Sequence, residues 1–252
     1  MARSPDIKIK TPEELLILRE AGHILAGIVS ELKSSLKIGM TTADINGLAE
    51  MLIGKNRVAS AFKGYRNFPA VACISVNEEV IHGIPGARVV RDGDIVGIDI
   101  GIRYRNYFSD MATTIGFGSL EATQQKLLDV TRQALMRGIA QARPGNRLGD
   151  ISHAVQSYVE SKGFSVVRDF VGHGIGLKLH EDPEIPNYGS AKQGPLLKAG
   201  MVFAIEPMVN AGGPKIKVLS DGWTAVTADK KPSAHFEHTV AITESGPLIL
   251  TE

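Results

Sequence analysis

The chain has 252 residues, enough for one large domain or two small ones around a substantial core. Apolar residues make up 43% and charged residues 22%, which excludes disordered and collagen-like classes, and a net charge of +1 gives no reason to expect nucleic acid or an anionic membrane as the main partner. The single cysteine, Cys73, excludes an internal disulfide and suits a reducing compartment. The opening MARSPDIKIK has basic residues with no apolar stretch behind them, so no secretory signal is expected. No apolar run approaches the ~18 residues that a membrane span needs. A cytoplasmic protein is expected.

The first element is a helix over residues 11–36. Thr11-Pro12-Glu13-Glu14 supplies an N-cap, a proline at the first helical position and a capping-box acid. Leu15, Leu18, Leu25, Val29, Leu32 and Leu36 then share one face. Gly39 stops the helix, and a second starts at Thr42 with Ile45, Leu48, Ala49 and Leu52 inward. Short β-like runs follow at 71–76, 94–102 and 108–115. The rest of the chain repeats this plan. A helix around Leu127, Val130 and Ala134 ends at Pro144-Gly145, and another runs from about Leu148 to Lys162. Further β-like runs lie at 166–171, 201–209 and 235–243.

The repetition extends to the letters. KIGMTTADI (37–45) aligns with RPGNRLGDI (143–151) at an offset of 106, from Gly39 to Gly145. RDGDIVGID (91–99) aligns with KAGMVFAIE (198–206) at an offset of 107, pairing Asp99 with Glu206. Two separated matches at nearly one offset favour a duplicated half over chance. Two copies are too few for a solenoid. The expectation is one α/β domain over 1–252, with pseudo-twofold halves of about 1–118 and 119–252 and a site where they meet.

Acids inside apolar strands carry the chemistry. Asp99 stands in IVGIDIG, Glu206 in VFAIEP and Glu237 in FEHTVAI, while Asp110 opens the run toward Thr113-Thr114-Ile115. A buried carboxylate is costly unless a cation or several donors neutralise it. Taken alone, Asp110 or Glu237 reads as a structural or surface acid, and His173 in GHGIG reads as a satisfied core histidine. Together the five ask for a shared cation. Asp99 and Asp110 flank the turn-like Tyr104-Arg105-Asn106-Tyr107, which predicts both at one end of a hairpin. The glycines around His173 are expected to let the backbone approach a bound group. One imidazole and four carboxylates suit Mn, Fe, Co or Zn, and four negative charges match two divalent ions better than one. His82 and His180 stand in glycine- or acid-marked segments and suit proton transfer or contacts outside the ligand set. His23, His153, His235 and His238 are read as structural.

These blocks, HGIP, DGDIVGIDIG, SDMATT, GHGIG, the histidine–acid stretch after Leu179, IEPM and FEHT, resemble in order the signature blocks of methionine aminopeptidases. The resemblance covers nearly the whole chain. It implies the pita-bread fold, two pseudo-symmetric halves of antiparallel strands flanked by helices around a two-metal centre. It implies that Asp99, Asp110, His173, Glu206 and Glu237 are the metal ligands, with Asp110 and Glu237 bridging. It implies that His82 and His180 contact substrate and assist proton transfer, and that Glu206 also takes the proton of the attacking water. Tyr65, Phe68, Cys73 and Trp223 match positions around the methionine pocket. Leu179 departs from the pattern, since relatives often carry phenylalanine there. The spacing of Glu206 and Glu237 leaves no room for the inserted subdomain of the type II enzymes, so the chain resembles the short bacterial type I form. The implied activity is removal of initiator methionine from nascent chains, preferably before a small second residue, by a monomer. A ribosome contact is left open. A prolidase-like dipeptidase and a non-catalytic binding module of the same fold are the rival readings.

Overall fold

The computed structural model describes residues 5–252. The start of the basic opening segment, residues 1–4, lies outside them. In chain order the elements are α1 (Pro12–Ser35), α2 (Thr42–Lys55), β1 (Ala59–Ser60), a 3-10 turn at Tyr65–Asn67, β2 (Ala72–Val76), β3 (Glu79–Ile81), β4 (Ile95–Tyr104) and β5 (Tyr107–Gly116). Then come α3 (Ala122–Gln141), α4 (Leu148–Ser161), β6 (Ser165–Val166), β7 (Gly172–Gly174), β8 (Glu181–Ile185), β9 (Val202–Ile205) and β10 (Met208–Asn210). The chain closes with β11 (Ile216–Val218), β12 (Ala225–Thr227), β13 (Ser233–His235), β14 (Glu237–Thr243) and β15 (Gly246–Ile249).

The helix starts follow their local chemistry. Thr11 caps α1 with a reciprocal box to Glu14, and Thr41 caps α2 with the same box to Asp44. Asp150 accepts from the Arg147 amide at 2.8 Å, as Asp44 does from the Thr41 amide at 2.8 Å. Other features also recur at the offsets seen in the letters. The Thr41–Val89 bridge has a counterpart in Arg147–Leu196, and the Gly39 N–H bond to the Val90 carbonyl has one in Gly145 to Leu197. Both α2 and α4 have 14 residues.

A nine-stranded antiparallel sheet runs in the order β1-β4-β5-β14-β9-β7-β8, with β2 beside β4 and β15 beside β14. The first two helices pack Leu25, Leu32, Ile45 and Leu52 against Ile98 and Ile100 of β4. The second pair packs Leu127, Ile151 and Val155 against Phe203 and Ile205 of β9. Each such buried aliphatic or aromatic side chain contributes about 1.5–3 kcal/mol. These two packed layers hold the sheet curled from outside and leave its other face free for polar groups. Among the described residues, no helix is long and apolar enough to cross a membrane.

The β-like runs of the C-terminal part are shorter than expected. The run 201–209 breaks at Glu206-Pro207, sending β9 into the large sheet and β10 into a small sheet with β13 and β6. The run 235–243 breaks at Phe236 between β13 and β14, and 166–171 keeps strand geometry only at its first residue. Proline has no N–H for a ladder, and each break lets one apolar run serve two sheets.

Candidate metal centre

The sheet order brings the four predicted acids and the imidazole together. Asp99 lies on β4, Asp110 on β5, Glu237 on β14 and His173 on β7, and Glu206 immediately follows β9. These are consecutive strands in space: Asp99 stands opposite Ala112, Ala112 opposite Glu237, and His173 opposite Ala204. Ligand atoms of Asp110, His173 and Glu237 all lie within 4.8 Å of one another. The Asp99 carboxyl neighbours that of Asp110, and His173 Nε2 is 3.5 Å from Glu206 Oε1. Asp99 and Asp110 stand near the middle of the ten-residue β4–β5 ladder, not at the hairpin end as expected. The tight Arg105-Asn106 turn leaves the ladder long enough to extend well beyond both acids on the turn side.

All five residues are buried. Burial pushes the Asp110 carboxyl up to about 7 and those of Asp99, Glu206 and Glu237 well above their ordinary range, and the neighbouring carboxylates add to the shift in Asp99, Glu206 and Glu237. Burial also lowers the His173 imidazole to about 3, so its approach to Glu206 is not an ion pair. His173 Nδ1 is 2.9 Å from the Gly174 carbonyl, which only accepts. The proton is therefore on Nδ1, and Nε2 presents a lone pair to the cluster. Asp99 Oδ1 and Glu237 Oε1 are buried with no hydrogen-bond partner. A cluster of four carboxyls with orphaned oxygens and an imidazole lone pair fits divalent cations, which would neutralise the charge and complete those atoms.

The glycines beside His173 are required by neighbouring backbone. A Cβ on Gly172 would lie 2.4 Å from the Ala204 carbonyl oxygen, and one on Gly174 would lie 2.2 Å from that of Asp182. Both keep β7 close to its partners, and this holds His173 in register.

One cavity is lined by all five and by His82, His180, Tyr65, Phe68, Cys73 and Trp223. The Tyr65 hydroxyl is 2.9 Å from His180 Nδ1, and the His180 ring lies 4.2 Å from that of His173. His82 meets Phe170 and Trp223 edge to face, and Phe68 meets Trp223 the same way. Burial lowers both His82 and His180 to about 4, so both are neutral near pH 7. Leu179 is buried and joins the wall with Phe62. Cys73 packs beside Asp99, and burial pushes its thiol up, so it is a neutral wall group and no nucleophile.

Comparison with known proteins decides the family. The pattern of metallopeptidase family M24 matches residues 17–244. The chain belongs to metallopeptidase family M24. It is 54% identical over 242 residues to methionine aminopeptidase 1 of Bacillus subtilis, covering 96% of this chain and 98% of that one. The methionine aminopeptidase of Clostridium perfringens is 51% identical, covering 97% and 98%. The crystal structure of methionine aminopeptidase from Thermotoga maritima superposes with a TM-score of 0.96 at 46% identity, covering 98% and 99%. Prolidase from Pyrococcus furiosus gives a TM-score of 0.77 at 27% identity, and only 65% of that chain is covered. Within family M24 the chain is thus a methionine aminopeptidase relative along its length, with the pita-bread fold of these neighbours. It is a metallopeptidase, and divalent metal is part of its chemistry.

Sequence reading gave no signal for one neighbour of Glu206. His235, read as structural, is buried with Nε2 3.7 Å from Glu206 Oε2 and without a hydrogen-bond partner. It stands two residues before Glu237. Strand alternation would put both on one face, but the chain changes sheets at Phe236. Arg66, Asp169 and Phe170 also line the cavity and carried no motif.

Proposed function

We propose that this protein hydrolyses the N-terminal methionine from nascent chains as a two-metal aminopeptidase of the cytoplasm, working as a monomer and preferring a small second residue. The observation that carries the reading is the convergence of Asp99, Asp110, His173, Glu206 and Glu237 with orphaned carboxylate oxygens. In this reading Asp99, Asp110, His173, Glu206 and Glu237 would hold the ions. When bound, the ions acidify a water and polarise the scissile carbonyl. Residues 1–252 act as one catalytic domain of two pseudo-twofold halves. Asp99 and Asp110 come from one half and the other three ligands from the other.

The protein's own groups do the rest. Glu206 accepts the proton of the attacking water. Tyr65 donating to His180 Nδ1 leaves the His180 proton on Nε2, where it stabilises the oxyanion that develops on the carbonyl. Neutral His82 hydrogen-bonds the substrate backbone. Tyr65, Phe68, Cys73 and Trp223 give the methionine side chain an apolar wall, and the aromatic contacts among them hold its shape.

The test compares Met-Ala-Ser, Met-Leu-Ser and Met-Pro dipeptide with non-methionine Xaa-Pro dipeptides, on protein freed of metal and reloaded with Mn, Fe, Co or Zn. Release of methionine from Met-Ala-Ser, far ahead of Met-Leu-Ser and of Xaa-Pro, is expected. Preferential cleavage of the Xaa-Pro dipeptides would establish the prolidase reading instead. No cleavage with any metal would leave a binding module.

A further inference from the structure

Lys10 precedes the first helix and is 6% exposed, unusual for a lysine in an otherwise exposed segment. Its Nζ lies 2.5 Å from Glu181 Oε2, with the two side chains 4% and 9% exposed. The other oxygen of Glu181 accepts the Lys178 amide at 3.2 Å. One carboxylate therefore closes the turn Lys178–Glu181 and anchors it to the N-terminal segment. That turn carries Leu179 and His180.

The surrounding backbone is built around the lysine. A Cβ on Gly176 would lie 2.4 Å from Lys10 Cε and 2.6 Å from Nζ, so a side chain there would displace the ammonium from its present place. The Lys10 amide donates to the Gly200 carbonyl at 2.7 Å, in the turn that leads into β9 and Glu206. The Asp6 amide donates to Asp182 Oδ2 at 2.8 Å, one residue beyond Glu181. On the far side of the turn, the Phe108 amide donates to the Gly176 carbonyl at 2.8 Å.

We propose that Lys10 and Glu181 are positioning residues for His180. The buried pair holds the Lys178–Glu181 turn at the height that sets His180 against Tyr65 and the reacting carbonyl. Neither residue touches substrate. A buried ion pair is a poor source of net stability, because desolvation offsets most of its attraction, but it has strict geometry. The inference rests on the catalytic reading of His180.

The experiment uses the full chain loaded with Mn²⁺ and Met-Ala-Ser as substrate. The variants are Lys10→Met, Lys10→Met/Glu181→Gln, His180→Ala, and each of the first two combined with His180→Ala. The double variant removes both charges, so no unpaired buried charge remains, and it carries the test if Lys10→Met alone fails to fold. Displacements of about 1 Å cost about 10²-fold when they act on a positioned group. The expected result is a kcat lower by about 10- to 100-fold, with KM and bound Mn²⁺ unchanged. In the His180→Ala background the same changes should cost less than about twofold, because residues acting through one group are not additive. Wild-type kcat in the double variant would overturn the proposal. So would a loss of equal size with and without His180. Wild-type kcat in His180→Ala alone would instead overturn the catalytic reading of that histidine, a result visible without any change at Lys10.

Discussion

Asp99, Asp110 and Glu237 stand within hydrogen-bonded strands of one sheet, while His82, His180, Tyr65 and Trp223 reach the same cavity from turns and irregular segments. The acids repel one another and leave oxygens unpartnered. The wall groups satisfy one another through the Tyr65–His180 hydrogen bond and ring contacts. A frustrated cluster needs the stiffness of a ladder to stay together without its cations. A self-satisfied wall does not, and it is free to be placed by loops. Changes on the strand side should therefore alter metal content, and changes on the loop side should alter turnover or selectivity alone.

The largest effect is expected for Glu237→Ala. It removes a carboxylate at the start of β14 that faces the acidic cluster, so bound metal by elemental analysis should fall, and turnover should drop below that of any wall variant. Full metal content in this protein would break the division between strand and loop. Next comes His180→Ala, which should keep its metal and lose about 10²–10³ in kcat, the usual cost of one oxyanion donor. Loss of metal there would make His180 a ligand and move it across the division.

A third measurement sharpens the comparison through pH. In the metal-free protein the raised carboxyls bind protons that the unfolded chain releases, so their contribution to stability is lost as pH rises toward and past about 7. The lowered imidazoles of His82 and His180 act oppositely, because the unfolded chain takes up protons below 6.5 that they refuse until about 4. The two sets oppose each other between the carboxylate range and 6.5. Above 6.5 the imidazole contribution is complete and only the carboxyls remain. Chelated protein should therefore lose melting temperature from pH 6.5 to 8, and Mn²⁺ should raise it more at pH 8 than at pH 6.5. A chelated protein equally stable across that range would show that the acids are not frustrated.

The smallest effect is expected for Leu179→Ala, a change to the wall alone. It should leave metal content intact and relax the preference for methionine over leucine at the first residue by about tenfold, the scale set by a methylene or two in an apolar pocket. Unchanged selectivity would take Leu179 out of the side-chain pocket.

The sequence by itself determined the helix starts at Thr11 and Thr42, because a cap or a stop glycine is read from neighbouring residues, and it marked Asp99, Asp110, Glu206 and Glu237, because an acid in an apolar strand is anomalous wherever it sits. The blocks around them, by resemblance, also pointed to the fold and its family. Only the tertiary structure decided which strands lie side by side, and hence that the proposed ligands on β4, β5, β14 and β7, with Glu206 just after β9, come together. It alone broke the apolar runs at Pro207 and Phe236, where one stretch of chain must serve two sheets. It alone placed His235 against Glu206 and Lys10 against Glu181, since a histidine or lysine shows its partner only once residues 29 or 171 positions apart have been brought together. Local pattern encodes what a segment buries. Contacts across the sheet depend on strand order, which no segment carries on its own.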